Sequence, residues 1–522
     1  MLQTKPTSSA LYDIKIDEKE AFCHFARVSK APFNRFFPGY QRDISQTEEA
    51  SFVSFEASDF PVKVEIRPQK SFENVVVRPL SKNILPTVSD GVITIEIGSV
   101  GQYVVEPYGL HHALHIFVNP SKDFSFVHKS ENLLYFGKGV HNPGVIKLES
   151  DMTVYVDKDA VVFGAFEGAG VENVTICGYG IVDGGFFERT TENYLLAMDF
   201  RRFPDGNWEK EQMRNVRKFD ETKFPKEKRD ISKGYGSKVY ESREQFLDFL
   251  EEFNTVKTGI HLYNCKNVTV DGIIFRDSAG LTATSAGCSD IHFNNVKTVG
   301  MWRYNSDGID FYNCSCCSVK NSFLRNFDDC ICVKGQLGWD TLPSRDITVE
   351  NCVVWADWGC SLEIGVDTVA DVIENVVFRD CDCIHHFNMV LAVGNGDRAN
   401  VQNIVFENIR VEYSDEDTKW QMQESEDSVF VPIYTYAPLI YIHMYSGVWS
   451  DDRIDGHIRN VLFKDISVLT PDGGKFPELI MKGTDEVHCI ENVTLENFTH
   501  NGEKVQITEI SKNDFCKNIF TM

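Results

Sequence analysis

The sequence predicts an all-β protein: a right-handed parallel β-helix over residues 131–522, preceded by a small N-terminal antiparallel β-sandwich over residues 1–130. Three observations carry that expectation. A six-residue pattern recurs at the spacing of a solenoid coil, the segment ahead of it shows period-two runs without the repeat, and turn-forming Asn, Asp and Gly punctuate both.

The repeat reads Asn or Asp, branched apolar, any residue, apolar, any residue, then Asn, Asp or Gly. It starts at Asn173, Asn267, Asp290, Cys316, Asp346, Asn375, Asn403, Asn460 and Asn492. From 267 to 403 successive starts are 23 to 30 residues apart, so each unit is one coil. Alternating apolar positions make a strand with one buried face. A strand this short is stable only when coils stack and pair in parallel. Asn and Asp at the turns bond local backbone and tolerate the left-handed conformation. Leucine-rich repeats share the period but need a Leu-x-x-Leu-x-Leu frame, which is absent. Gaps of 94 residues after Asn173 and 57 after Asn403 mark insertions.

Before about residue 130 the runs at 62–66 (VKVEI), 75–80 (VVVRPL), 92–97 (VITIEI) and 114–118 (LHIFV) suggest the sandwich. Its expected task is to cap the open end of the solenoid; a carbohydrate-binding module is the alternative. The insertion at about 186–256 is polar and ends in apolar positions 246, 247, 249, 250 and 253 behind Ser242, the pattern of an N-capped amphipathic helix. It reads either as a solvated loop or as a lid beside the active face.

A formal charge of −25 argues against a nucleic-acid or anionic-membrane surface, because polyphosphate binding needs a basic footprint. With 42% apolar residues the chain has material for a large core, which excludes disorder for most of it. No stretch approaches 18 uncharged apolar residues, and the first residues lack a charged n-region followed by an apolar one, so the expected compartment is cytoplasmic. Fifteen cysteines, many at strand positions, then read as buried hydrophobes rather than a disulfide framework. The dense groups at 314–317 and 381–383 lack paired CxxC spacing, so no metal and no cofactor are expected.

The chemistry is expected at Asp307, Asp328 and Asp329. Asp307 precedes Asp328 by 21 residues, a little under one coil, and residues one coil apart lie about 4.8 Å apart along the axis. Carboxylates gathered this closely repel, so at least one holds its proton to higher pH. One acid can then protonate a leaving oxygen while the others activate a water. The plainer reading makes them turn residues bonding backbone amides; two adjacent acids plus a third one coil away favour the functional one.

These residues resemble the polygalacturonase-type glycoside hydrolases, whose pectin-lyase-like right-handed β-helix carries Asn-Thr-Asp-Gly and then Asp-Asp-Cys about one coil later. Asn305, Ser306, Asp307 and Gly308, then Asp328, Asp329 and Cys330, match in order and spacing, and the resemblance spans about residues 140–500. It implies an inverting hydrolase with Asp328 as general acid and Asp307 and Asp329 holding the water. Two motifs depart. Where the family has Gly-His-Gly this chain reads Trp358, Gly359, Cys360, Ser361, Leu362 and Glu363, leaving Glu363 as the nearest ionisable substitute. The Arg-Ile-Lys that grips a uronate has no match at 385–390 (HHFNMV), which argues against pectate. The architecture is also similar to the dextranase and isopullulanase hydrolases, which use three aspartates without those motifs and act on neutral glucans.

Pyranose rings stack on aromatic faces and their hydroxyls seek bidentate polar groups. Candidate sugar contacts are therefore Trp302, Arg303, Tyr304, Trp339, Trp355 and Trp358, any one Trp being equally readable as core or a packed turn. Lys334 follows Asp329 along its strand, where a cation lowers acid pKa values or holds a hydroxyl. Glu363, His385, Asn395, Asp397 and Arg398 fall on later coils, with Asp397 and Arg398 also readable as a turn ion pair. The expected function is inverting hydrolysis of a non-pectic, neutral oligosaccharide or glucan-type substrate. Exo-type cleavage is expected only where the 186–256 insertion partly closes the groove, and the sequence leaves exo versus endo action open. The alternatives are an exo-polygalacturonase-like hydrolase of uronate oligosaccharides and a non-catalytic carbohydrate-binding solenoid. The expected partner is the oligosaccharide, with no nucleic acid and no membrane; a homo-oligomer is left open.

Overall fold

The computed structural model describes residues 6–31, 44–187, 259–303, 305–336, 338–417, 421–422, 431–432, 436–445 and 456–522. Most of the 186–256 insertion, including the expected helix, lies outside these residues.

Two five-stranded sheets stack face to face in the N-terminal part. One contains Lys19–Ala21, Tyr12–Ile16, Val62–Pro68, Val92–Ile97 and Thr87–Ser89 in spatial order. The other contains His24–Ser29, Thr47–Ala57, Leu114–Pro120, Gly101–Leu110 and Val76–Arg78. Alternation supplies the core between them, with Ile14, Val64, Ile66, Ile93 and Ile95 meeting Val53, Tyr103, Val105, Ile116 and Val118. Pairing is antiparallel except between Leu114–Pro120 and Thr47–Ala57, which run parallel. Parallel neighbours need a long crossover, and the intervening strands provide one.

The second sheet is buried on both faces. Its outer face places Ala26, Phe52, Val104 and Phe117 against Phe163, Ile274, Val299, Phe323, Trp355 and Phe387 of successive coils. The sandwich therefore lies along the flank of the solenoid instead of capping its end, because its outer face is as apolar as its inner one. Polar pairs pin the seam: Lys297 Nζ donates to Asn119 Oδ1 at 2.5 Å, Gln102 to Asn295 at 3.1 Å, and Arg78, braced by Glu106 of its own sheet at 2.9 Å, reaches Glu412 at 2.5 Å.

Among the described residues, thirty strands between Asn132 and Thr521 form one continuous sheet wound as a right-handed parallel β-helix. A coil has three strands. Ile309–Tyr312, Ser315–Lys320 and Phe323–Asn326 pair in parallel with Ile331–Gly335, Ser344–Glu350 and Val353–Ala356 of the next coil. The repeat's first position is left-handed throughout, with φ of 50–60° at Asn173, Asn267, Asp290, Cys316, Asp346, Asn375, Asn403, Asn460 and Asn492. Asn side chains there bond coil to coil, as Asn267 does to Asn173 at 2.8 Å and Asn460 to Asn403 at 3.2 Å. Both long gaps are thus bridged in register, so the insertions leave the stack unbroken. All fifteen cysteines are free, and all but Cys316 are buried.

Candidate active site

Asp307 ends the turn that leads into Ile309–Tyr312, and Asp328 and Asp329 fill the turn into Ile331–Gly335 one coil later. Backbone bonds tie the turns together: the Gly308 N–H donates to the Asp329 carbonyl at 2.7 Å, and the Asn326 amide to the Ser306 carbonyl at 3.0 Å. Two glycines permit the close approach. A Cβ on Gly308 would lie 2.2 Å from the Cys330 carbonyl oxygen, and one on Gly359 would lie 2.3 Å from Asp329 N.

Lys334 is the centre of the charge arrangement. Its Nζ lies 3.1 Å from Asp307, 2.9 Å from Asp310 and 3.4 Å from Asp329, and the side chain is only 6% exposed. Its neighbours hold the ammonium's pKa well above the ordinary lysine value, although burial opposes this. Asp307 is driven well above the ordinary aspartate value by burial and by Asp310, Asp328 and Asp329, against the pull of Lys334. Asp328 is half-buried and pushed up to about 7, first by burial and then by the Asp329 charge. Lys334 and the backbone N–H groups of Asn305 and Asp329, each 3.2 Å from its oxygens, pull it the other way. Asp329 Oδ1 accepts the Cys360 N–H at 2.9 Å. The patch thus gathers Asp307 and Asp328, both raised by burial and by neighbouring carboxylates, with Asp329 as a third acid around one ammonium, an arrangement suited to proton transfer.

Asp310 and Cys332 belong to this site although the motif reading passed over them. Asp310, Cys332 and Glu363 are register partners on three successive coils. Strand alternation from Gly308 together with the one-coil register was the signal that places Asp310 beside Lys334. Asp329, Cys332 and Glu363 also bring one ligand-type atom each within 4.8 Å of the others. They fit a metal poorly: the Lys334 ammonium stands beside them, and burial raises the Cys332 thiol and the Glu363 carboxyl well above their ordinary values, disfavouring the ionised forms that a cation needs.

The expected sugar contacts divide. Trp302 and Arg303 stay partly exposed, the indole donating to Asp277 at 2.8 Å and the guanidinium lying 3.2 Å from the same carboxylate. The Arg303 carbonyl accepts the Ser306 hydroxyl at 2.6 Å, which anchors both to the Asp307 turn. Tyr304 lies outside the described residues. The rest are corrected by packing. Trp339 is 1% exposed, stacked on Tyr263 and bonded to Asn264. Trp355 is buried at the sandwich seam under Arg325, whose guanidinium sits 3.6 Å from its ring centroid. Trp358 has Phe327 and Phe387 stacked on it at 5.6 and 4.6 Å, so its faces are spent on packing.

His385 faces the sandwich, bonding Glu106 at 2.7 Å and Asp417 at 2.5 Å, and these acids raise it to about 9. Asn395 and Asp397 are fully buried around Thr368, accepting its hydroxyl at 2.6 Å and its N–H at 2.8 Å. Arg398 clamps Asp340 at 2.8 Å. Sequence spacing puts these residues on the right coils but does not tell which of a coil's three faces they occupy.

The chain shares 25% identity over 256 residues with a probable endopolygalacturonase D of Neosartorya fischeri, covering 48% of this chain and 47% of that protein. It shares 23% over 231 residues with a probable rhamnogalacturonase B of Aspergillus fumigatus, covering 41% and 42%. The chain thus spans about half the length of the curated relatives it matches. Among solved structures, the hyperthermoactive exopolygalacturonase of Thermotoga maritima superposes with a TM-score of 0.50 at 16% identity, over 75% of this chain and 86% of that one. Dex49A of Penicillium minioluteum superposes with a TM-score of 0.53 at 14% identity, over 97% and 91%. At these identities the two structures speak for the fold alone. Residues 243–419, which hold Asp307, Asp328, Asp329, Lys334 and Glu363, match the model of the glycosyl hydrolases family 28, and the resemblance read from the two aspartate motifs is borne out.

Proposed function

We propose that the chain is a glycoside hydrolase in which Asp328 is the general acid and Asp307 and Asp329 orient the attacking water. The observation that carries this reading is the cluster itself: Asp328, pushed up to about 7, stands beside Asp307 and Asp329, which share the Lys334 ammonium at 3.1 and 3.4 Å. In the reaction the glycosidic bond breaks, Asp328 gives its proton to the departing oxygen, and water adds to the anomeric carbon as a neighbouring carboxylate takes its proton. Attack from the face opposite the leaving group inverts the anomer.

The substrate in this reading is a neutral oligosaccharide. Around the acids the described cations are engaged, Lys334 by three carboxylates and Arg303 by Asp277, and each would have to leave its partner to grip a uronate. A second reading, hydrolysis of uronate oligosaccharides, draws on the relatives' names, polygalacturonase and rhamnogalacturonase. A panel of aryl glycosides, neutral oligosaccharides and oligogalacturonates, with the product anomer followed by proton NMR, separates the two. Cleavage confined to oligogalacturonates selects the second reading. A retained anomer removes inversion, and no cleavage of any member leaves a carbohydrate-binding solenoid.

A further inference from the structure

Glu363 was expected to touch sugar, yet its side chain is only 5% exposed and lies behind Asp329. Its surroundings are those of a hydrogen-bond donor. Two carboxylates are both acceptors, so an Asp329–Glu363 contact is attractive only when one of them carries a proton. The donors decide which. Asp329 accepts the Cys360 N–H at 2.9 Å and faces the Lys334 ammonium at 3.4 Å, so its donors already cast it as the acceptor of the pair. Glu363 receives the weak Cys332 thiol at 3.5 Å and is otherwise enclosed.

Resting on the hydrolase reading, we propose that Glu363 is a positioning residue: its carboxyl donates a hydrogen bond to Asp329 and holds that side chain as the water-orienting carboxylate. Asp329 then has a donor from each neighbour, the ammonium of its own coil, the Cys360 backbone of the next and the Glu363 carboxyl beside it. Its rotation is fixed while its other lone pairs stay directed at the water. The charged and titratable groups facing Glu363 are Asp329, Lys334 and the thiols of Cys332 and Cys360. Burial and the Asp329 charge keep the Glu363 proton in place.

The test compares Glu363→Gln, whose amide still donates, with Glu363→Leu, which fills the space without a donor. Protein labelled with 13C at the aspartate carboxyls gives the Asp329 titration directly, its signal assigned by loss in Asp329→Asn. The expected result is an Asp329 midpoint raised by roughly 1 unit in the Leu variant and close to wild type in the Gln variant. Turnover follows: kcat falls on the order of 100-fold in Leu with KM within about threefold, and its acid limb moves to higher pH, while Gln stays within about threefold. Identical Asp329 midpoints in all three proteins, or a Gln variant as impaired as Leu, would overturn the proposal. If Leu fails to fold, the Gln arm still decides, since a Glu363 acting as an ionised base would lose activity on becoming an amide. The titration needs no turnover, so failure of this hydrogen bond and failure of the hydrolase reading leave different records.

Discussion

Asp328→Asn tests the site through stability as well as activity. Asp328 ionises near 7 in the folded chain against an ordinary 3.8, because burial and Asp329 oppose its charge. A raised folded-state pKa means that the folded form binds the proton more tightly than the unfolded one. The resulting stability is full below 3.8 and is lost as pH climbs through about 7. At about 1.4 kcal/mol per unit the shift is worth about 4 kcal/mol, and sharing the load with Asp329 brings this to about 2–4. Asparagine never ionises and escapes that loss. It also mismatches one of the two backbone donors, at Asn305 and Asp329, a pH-independent cost of about 1 kcal/mol. The pH dependence of the difference therefore carries the test. With an unfolding entropy of about 1.1 kcal/mol/K for 522 residues, the variant's Tm relative to wild type should rise by about 2–4 °C between pH 4 and pH 8. Scanning calorimetry at three pH values measures it, and turnover on any cleaved glycoside should drop by about 1,000-fold. A Tm difference independent of pH, or a variant that keeps its activity, would refute the reasoning.

Other perturbations follow from the same contacts. Lys334→Met strands three carboxylates and should destabilise the chain by about 3–5 kcal/mol at pH 7 but less at pH 5, where the acids take up protons; melts at the two pH values check this. Gly359→Ala puts a methyl group 2.3 Å from Asp329 N and 2.4 Å from the Asp328 carbonyl carbon, so the coils must part. Its activity should fall on the order of 100-fold while circular dichroism still reports the β-helix. Cys316 is exposed at φ 58°, between Asp290 and Asp346, in a column otherwise held by Asn and Asp. Cys316→Asn should gain about 0.5–1 kcal/mol in thermal melts with turnover unchanged, since Asn tolerates that backbone and donates to the adjacent Asp.

The solenoid was legible because its determinants are local and periodic. Every repeat start from Asn173 to Asn492 proved left-handed, a requirement that Asn or Asp meets at every coil but the one that starts at Cys316. The acid motif was legible for the same reason: one coil of chain brings Asp307 and Asp329 onto a common ammonium. What failed depended on packing between distant segments. Trp355 and His385 look like groove residues in sequence and lie against Arg325 and Glu106 at the seam, because nothing near them in the chain reveals where the sandwich docks. Trp339 and Trp358 failed likewise, as a ring reads the same whether sugar or Tyr263 covers it. Asp310 was missed for a simpler reason, since its role appears only when alternation and coil register are applied together.

The flank placement of the sandwich acts as a splint. A free-standing solenoid can gain or lose a turn of chain with little penalty, because each turn answers only to its two neighbours. Here Arg78 reaches Glu412, Lys297 reaches Asn119 and Ser81 reaches Asp382, so one rigid body grips points several turns apart. Adding or deleting a turn between those points would slide them by about 4.8 Å and break every grip beyond it. The number of turns beneath the splint is thereby locked, and length can vary only in segments that leave the stack sideways or lie past its reach.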